Sequence, residues 1–168
     1  SLRDYVAAGG FLLVGSSAFT RHPDGTTRGD FALAEEMGLH MENASLSNWY
    51  QNAQFTKVSD HRLVAHIPEG TLSWRMPLDA EQVPWGTSPG HTIHANHYVW
   101  QVTVSDAEVI ANGAAGPLLA TKGYGQGNFI YHGSFQPLIG HGGYDPGMYA
   151  YLIIRNGIEW AFESANLP

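Results

Sequence analysis

A chain of 168 residues with 43% hydrophobic residues, 14% charged residues and a formal charge of −7 is long enough to bury one core and reads as a single globular domain. The acidic balance gives no electrostatic reason to bind nucleic acid, and no apolar run approaches the length needed for membrane insertion. The absence of cysteine excludes disulfides, thiolate metal sites and a cysteine nucleophile, without identifying a compartment.

The first predicted element is a short helix in which Leu2, Tyr5 and Val6 share one face, stopped at Gly9 or Gly10 in a left-handed conformation. Residues 11–14 are an unbroken apolar run, as expected of a strand covered on both faces. The small-residue turn Gly15-Ser16-Ser17-Ala18 follows, at the position where α/β folds place their chemistry. Residues 31–39 predict a helix with Asp30 as N-cap and Phe31, Leu33, Ala34 and Met37 on its apolar side, ending at Gly38 or Asn43. Short strands are expected at 54–58 and 72–74, with a turn-like segment at 60–68 and a proline-rich loop at 77–90.

Alternation predicts one strand over 98–104 and another over 107–111. The strongest local signal is a hairpin, 117–122 and 128–132, about the turn Gly123-Tyr-Gly-Gln-Gly127. A glycine-punctuated loop over 133–143 leads to a helix over 146–163, with Asp145 as N-cap and Pro146 at its first position.

Three segments carry a resemblance. They are the helix-Gly-Gly-strand opening, the stretch Asp24-Gly25 through Arg28-Gly-Asp-Phe-Ala-Leu-Ala-Glu-Glu-Met-Gly38, and the hairpin from Gly116-Pro-Leu-Leu to Tyr124-Gly-Gln-Gly-Asn-Phe-Ile-Tyr131. Together they resemble the class I glutamine-amidotransferase-like domains of carbohydrate-active enzymes, including the trimerisation domain of certain bacterial beta-galactosidases. The closing stretch, Gly133-Ser-Phe-Gln-Pro-Leu-Ile-Gly-His-Gly-Gly-Tyr-Asp-Pro-Gly147 through Trp160, resembles the version of this domain that precedes polysaccharide-deacetylase-like domains. The resemblance implies an α/β, flavodoxin-like three-layer sandwich with a mostly parallel sheet, a C-terminal β-hairpin and a final helix. It also implies that N-terminal strand-helix units precede Leu2, making 1–168 one domain of a longer protein. A smaller, self-sufficient α/β fold that begins with a helix is the alternative.

In active members of that group the nucleophile is a cysteine on the turn after a central strand, and here the turn holds Ser16 and Ser17. Gly15 and Ala18 suit a nucleophile elbow, whereas Phe19 stands where glycine is usual. His132 matches the family's histidine, but Ser134 occupies the place of its glutamate. Ser17 and His132 are therefore the catalytic candidates, with no acid to orient the base. The plainer reading is that both serines fill a tight turn.

His91, His94 and His97 recur every third residue. His94 and His97 are the better candidates for a zinc (Zn) site, against the more ordinary role of loop histidines in hydrogen bonding. Ser16, Ser17, Arg21, His141 and Asp145 are the candidate ligand-binding residues, for an anion or a sugar at the two glycine-rich corners. Trp49, Tyr50, Trp74, Trp85, Tyr98 and Trp100 can stack on sugars or fill an interdomain contact.

The leading expectation is a non-catalytic accessory or assembly domain of a carbohydrate-active enzyme, with an adjacent catalytic domain or a homo-oligomer partner. Without cysteine, no glutaminase activity is expected. A hydrolase using Ser17 and His132 or a histidine-bound metal, and a carbohydrate or small-ligand binding module, are the alternatives.

Overall fold

The computed structural model describes residues 1–15, 18–42, 49–52, 54–73, 97–114, 116–133 and 148–165, with the backbone alone at 49–52, 72–73, 97–100 and 148–151. In chain order these form α1 (Leu2–Ala7), β1 (Phe11–Gly15), α2 (Ala34–Met37), β2 (Leu39–Met41), β3 (Trp49–Asn52) and β4 (Gln54–Lys57). A 3-10 turn (Arg62–Val64) then leads to β5 (Thr71–Ser73), β6 (His97–Trp100), β7 (Val102–Val104), β8 (Glu108–Gly113), β9 (Gly116–Tyr124), β10 (Gly127–His132) and α3 (Met148–Ser164).

The main sheet has the order β1-β10-β9-β8-β4-β5. Only β1 and β10 run parallel; the other neighbours in this sheet are antiparallel. The fold is thus α/β with a mixed sheet, and the expectation of a mostly parallel sheet is corrected. Connection length is the reason. Two residues separate β8 from β9 and β9 from β10, and so short a link can only reverse the chain, whereas a parallel pair needs a crossover of about a dozen residues or more.

Strand alternation divides the core between the two faces of this sheet. Leu12 and Val14 of β1 join Phe31, Met37, Phe129 and Tyr131 on one side. Phe11 and Leu13 join Ile110, Leu118, Ile130 and Ile153 on the other. Residues 11–14 are covered on both faces, as their unbroken apolar run predicts. α1 contributes Val6, fully buried, to the first side, while Leu2 and Tyr5 stay exposed. The predicted three-residue apolar face therefore buries one residue.

Two expected elements differ. The helix over 31–39 shrinks to α2, because Gly38 adopts φ 64° and ends it, releasing Leu39 to pair with Val104 in the β2–β7 ribbon. Asp30 does not cap α2. Its Oδ1 accepts from the N–H of Phe31 (2.7 Å) and of Met41 (2.8 Å), pinning β2 to the segment before the helix. The single strand over 98–104 is two: β6 pairs with β3, and β7 with β2. Gln101 sits at the break, where its carbonyl accepts from Glu42 N–H.

The 3-10 turn is capped by His61, whose Nδ1 accepts from Leu63 N–H (3.1 Å) while its ring meets Trp160 edge to face. Burial holds the imidazole below its ordinary 6.5, Glu108 opposing and Arg62 assisting. Protonation would charge a half-buried ring and abolish the acceptor, so the His61 contribution is complete above pH 6.5 and declines as pH falls through the depressed folded value. The hydrogen-bonded Asp4 and Asp24 carboxylates, lowered from 3.8, act only in a more acidic window. Between pH 7.5 and 5, urea unfolding should show a stability loss that His61→Asn reduces, the cap itself being worth about 1 kcal/mol. Parallel pH profiles for the two proteins would contradict this assignment.

Candidate functional site

The corner expected to carry chemistry lies at the ends of β1 and β10, where Gly15 stands in register with His132. The Gly15 carbonyl accepts from Ala18 N–H (3.1 Å). Phe19 follows with φ 63°, in the left-handed region that favours glycine and costs other residues on the order of 1 kcal/mol. Phe19, which stands where the resemblance leads one to expect glycine, thus has a backbone conformation that glycine favours. Two successive hydrogen bonds hold it: Ala32 N–H to the Phe19 carbonyl (3.0 Å) and Arg28 N–H to the Thr20 carbonyl (2.8 Å).

His132 is completely buried. It ends β10 opposite Leu119 of β9, and alternation from Tyr131, which belongs to the first core cluster, turns it toward the face that carries α3. Ser16 and Ser17 lie outside the described residues, as do His141, Asp145 and His94; the expected Ser17–His132 pairing and the His141–Asp145 loop fall there with them. His97 opens β6 opposite Asn52, and its side chain is outside the description. Among the described residues no group of three or more His, Cys, Asp or Glu stands close enough to hold a metal.

Arg21 is placed on a small two-stranded arm. It bridges Thr27, and its Nη1 donates to the Gly25 carbonyl (2.8 Å). Asp24 tightens the tip by accepting from Thr26 N–H and Oγ1, which holds its carboxyl below the usual range. Arg28 closes the arm, with Nε donating to the Arg21 carbonyl (3.0 Å).

The structure also brings together a pair that sequence reasoning missed. Asp30 Oδ2 lies 2.7 Å from His40 Nδ1. With its other oxygen on two backbone N–H groups, Asp30 fixes the imidazole orientation and leaves Nε2 available for proton transfer or ligation. Nothing in the spacing pointed to this pair, because the contact depends on β2 folding back alongside Asp30. Both side chains are partly exposed, and the pair also serves to lock β2.

The second notable surface lies on the α3 side. A groove of about 330 Å³ runs between β1 and α3, lined among others by Tyr5, Phe11, Ile154, Ile158 and Phe162, with no charged residue among the described residues of its wall. Tyr5, Ile158 and Phe162 are each more than half exposed. Among the described strands β1 forms an end of the six-stranded sheet, with β10 as its neighbour.

No family model matches this sequence, and no curated protein matches it. Solved structures do. A beta-galactosidase from Bacillus circulans sp. alkalophilus superposes with a TM-score of 0.56 at 16% identity, over 99% of this chain and 20% of that one. Gan42B, a GH42 beta-galactosidase from G. stearothermophilus, gives 0.54 at 15% identity, over 99% and 19%. The cytoplasmic protein STM3548 from Salmonella typhimurium gives 0.54 at 19% identity, over 95% and 58%. At such identities the likeness is one of fold. The chain spans about a fifth of the length of the beta-galactosidases it matches.

Proposed function

We propose that this chain is a non-catalytic assembly domain of a longer carbohydrate-active polypeptide, seated through the β1–α3 face against a neighbouring part of that polypeptide. The observation that carries the reading is the groove along β1 and α3, whose described wall is uncharged, beside a strand that has one edge unpaired among the described residues. An open edge of sequence Phe-Leu-Leu-Val-Gly has no proline, charge or bulge to deter pairing, so it calls for a cover. Of the six exposed large apolar side chains among the described residues, three line this one groove. The superposition of nearly the whole chain on about a fifth of GH42 beta-galactosidases supports placement as one part of such a protein.

The finer assignment is an amidotransferase-like, flavodoxin-related domain, similar to the trimerisation domain of beta-galactosidases and forming one domain over 1–168. The parallel β1–β10 pair and helices on both sheet faces support it. The complete burial of His132 favours a packing role for that imidazole over proton transfer to a substrate.

Hydrogen exchange tests the reading. In the complete encoded protein, amides of residues 11–15 should exchange at least tenfold more slowly than in the chain 1–168 alone, and Ile158→Asp with Phe162→Asp should remove that protection. Equal exchange in the two proteins would refute it.

A further inference from the structure

The opposite face of the sheet holds a second groove, of about 440 Å³. Among the described residues its walls are Ser1, Leu2, Phe19, Ala32 and Leu33, and its charged side chains are Arg3 and Arg28. Arg3 is neutralised by Glu36. Among the described residues Arg28 has no carboxylate partner.

That is unusual in this chain, where acids outnumber Lys and Arg by 15 to 8. Among the described residues, Arg3, Lys57, Arg62, Lys122 and Arg155 all sit on carboxylates. Arg21 and Arg28 instead donate to backbone carbonyls within their own arm. For Arg28 the bond from Nε to the Arg21 carbonyl fixes the guanidinium plane and leaves both Nη groups for a two-point contact, the geometry that suits a carboxylate or phosphate.

The aromatic wall is equally fixed. Phe19 holds its left-handed backbone at φ 63° and packs against the first core cluster, placing an apolar surface in the same groove as an oriented cation. A preformed recess with apolar walls and one directed polar group is the usual form of a small-molecule site. We propose that this groove binds a small ring-bearing anion, its carboxylate or phosphate on Arg28 and its ring against Phe19 and Leu33. The site lies across the sheet from the β1–α3 face, so it stands or falls separately from the assembly reading.

Nuclear magnetic resonance titration of the chain tests this, with D-glucuronate as the carboxylate source, D-glucose 6-phosphate as the phosphate source and D-glucose as the neutral control. At least one anion should shift the Phe19 and Leu33 resonances saturably, and D-glucose should not. Arg28→Met should weaken that binding at least tenfold, whereas Arg155→Met on α3 should leave it unchanged. Arg28→Lys, which keeps the charge without the fork, should weaken it less than Arg28→Met, and it serves as the test variant if Arg28→Met does not fold. The proposal is overturned by shifts with none of the anions, by equal shifts with D-glucose, or by affinity insensitive to Arg28.

Discussion

Gly127→Ala is expected to destabilise the chain by about 3 kcal/mol, the upper part of the range for forced overpacking. A methyl group at this position would fall closer than 3.0 Å to the carbonyl oxygens of Val6 and Gly10. Both are backbone atoms, and neither can swing aside. The crowding arises because the α1 exit lies directly on the hairpin: Gln126 N–H donates to the Ala7 carbonyl (3.0 Å) and Asn128 N–H to the Gly10 carbonyl (3.1 Å). Those two bonds tie the first helix to the turn between β9 and β10, so the methyl must break one of them or lift α1 from the sheet. Gly29→Ala is the matched control. Nothing lies within 4 Å of its added methyl and its φ is not positive, so its effect should stay within about 0.5 kcal/mol. Urea denaturation of both variants measures the contrast; equal midpoints would mean that α1 yields without cost.

The parts of this fold legible in the sequence are those whose signals are local. The β9–β10 hairpin was readable because its turn glycines and flanking apolar residues lie within a single short window, and β1 because four apolar residues in succession need cover on both faces. Sheet direction was not readable in the same way. A resemblance to parallel-sheet proteins pointed one way, while the two-residue links on either side of β9 required reversal; the links, which are covalent, decide. The break at Gln101 was hidden because alternation continues through it, and only the separate partners of β6 and β7 reveal it.

At the candidate site the same division holds. Phe19 was visible as an odd residue in a glycine position, and its positive φ gives that oddity a physical form. The Asp30–His40 pair and the Arg28 groove depend on segments that meet only after folding. Asp30 illustrates why such contacts escape: its sequence position predicts a helix cap, whereas its carboxylate serves a strand eleven residues away.

Asn156→Leu should cost about 2–3 kcal/mol, although it adds apolar surface at a buried position of similar size. Asn156 is 7% exposed on α3, and its Nδ2 donates to the carbonyls of Leu63 and Ala65, both at 3.1 Å. One amide therefore joins the final helix to the 3-10 turn, the only described side-chain hydrogen bonds that do so apart from the exposed Arg62–Glu163 pair. Leucine would leave two acceptors facing hydrocarbon, each costing about 1–3 kcal/mol if buried without a donor, and the gain from extra apolar burial offsets only part of that. Asn156→Asp separates the two contributions. At neutral pH its carboxylate would face two carbonyl oxygens, which should raise its folded pKa; as pH falls toward 4 the protonated form regains a donor, and the deficit relative to wild type should shrink. The Leu variant has no such dependence. If the two variants lose the same stability at every pH, the hydrogen bonds to the 3-10 turn are not what seats α3, and the apolar contacts of Ile153 and Trp160 must carry it instead.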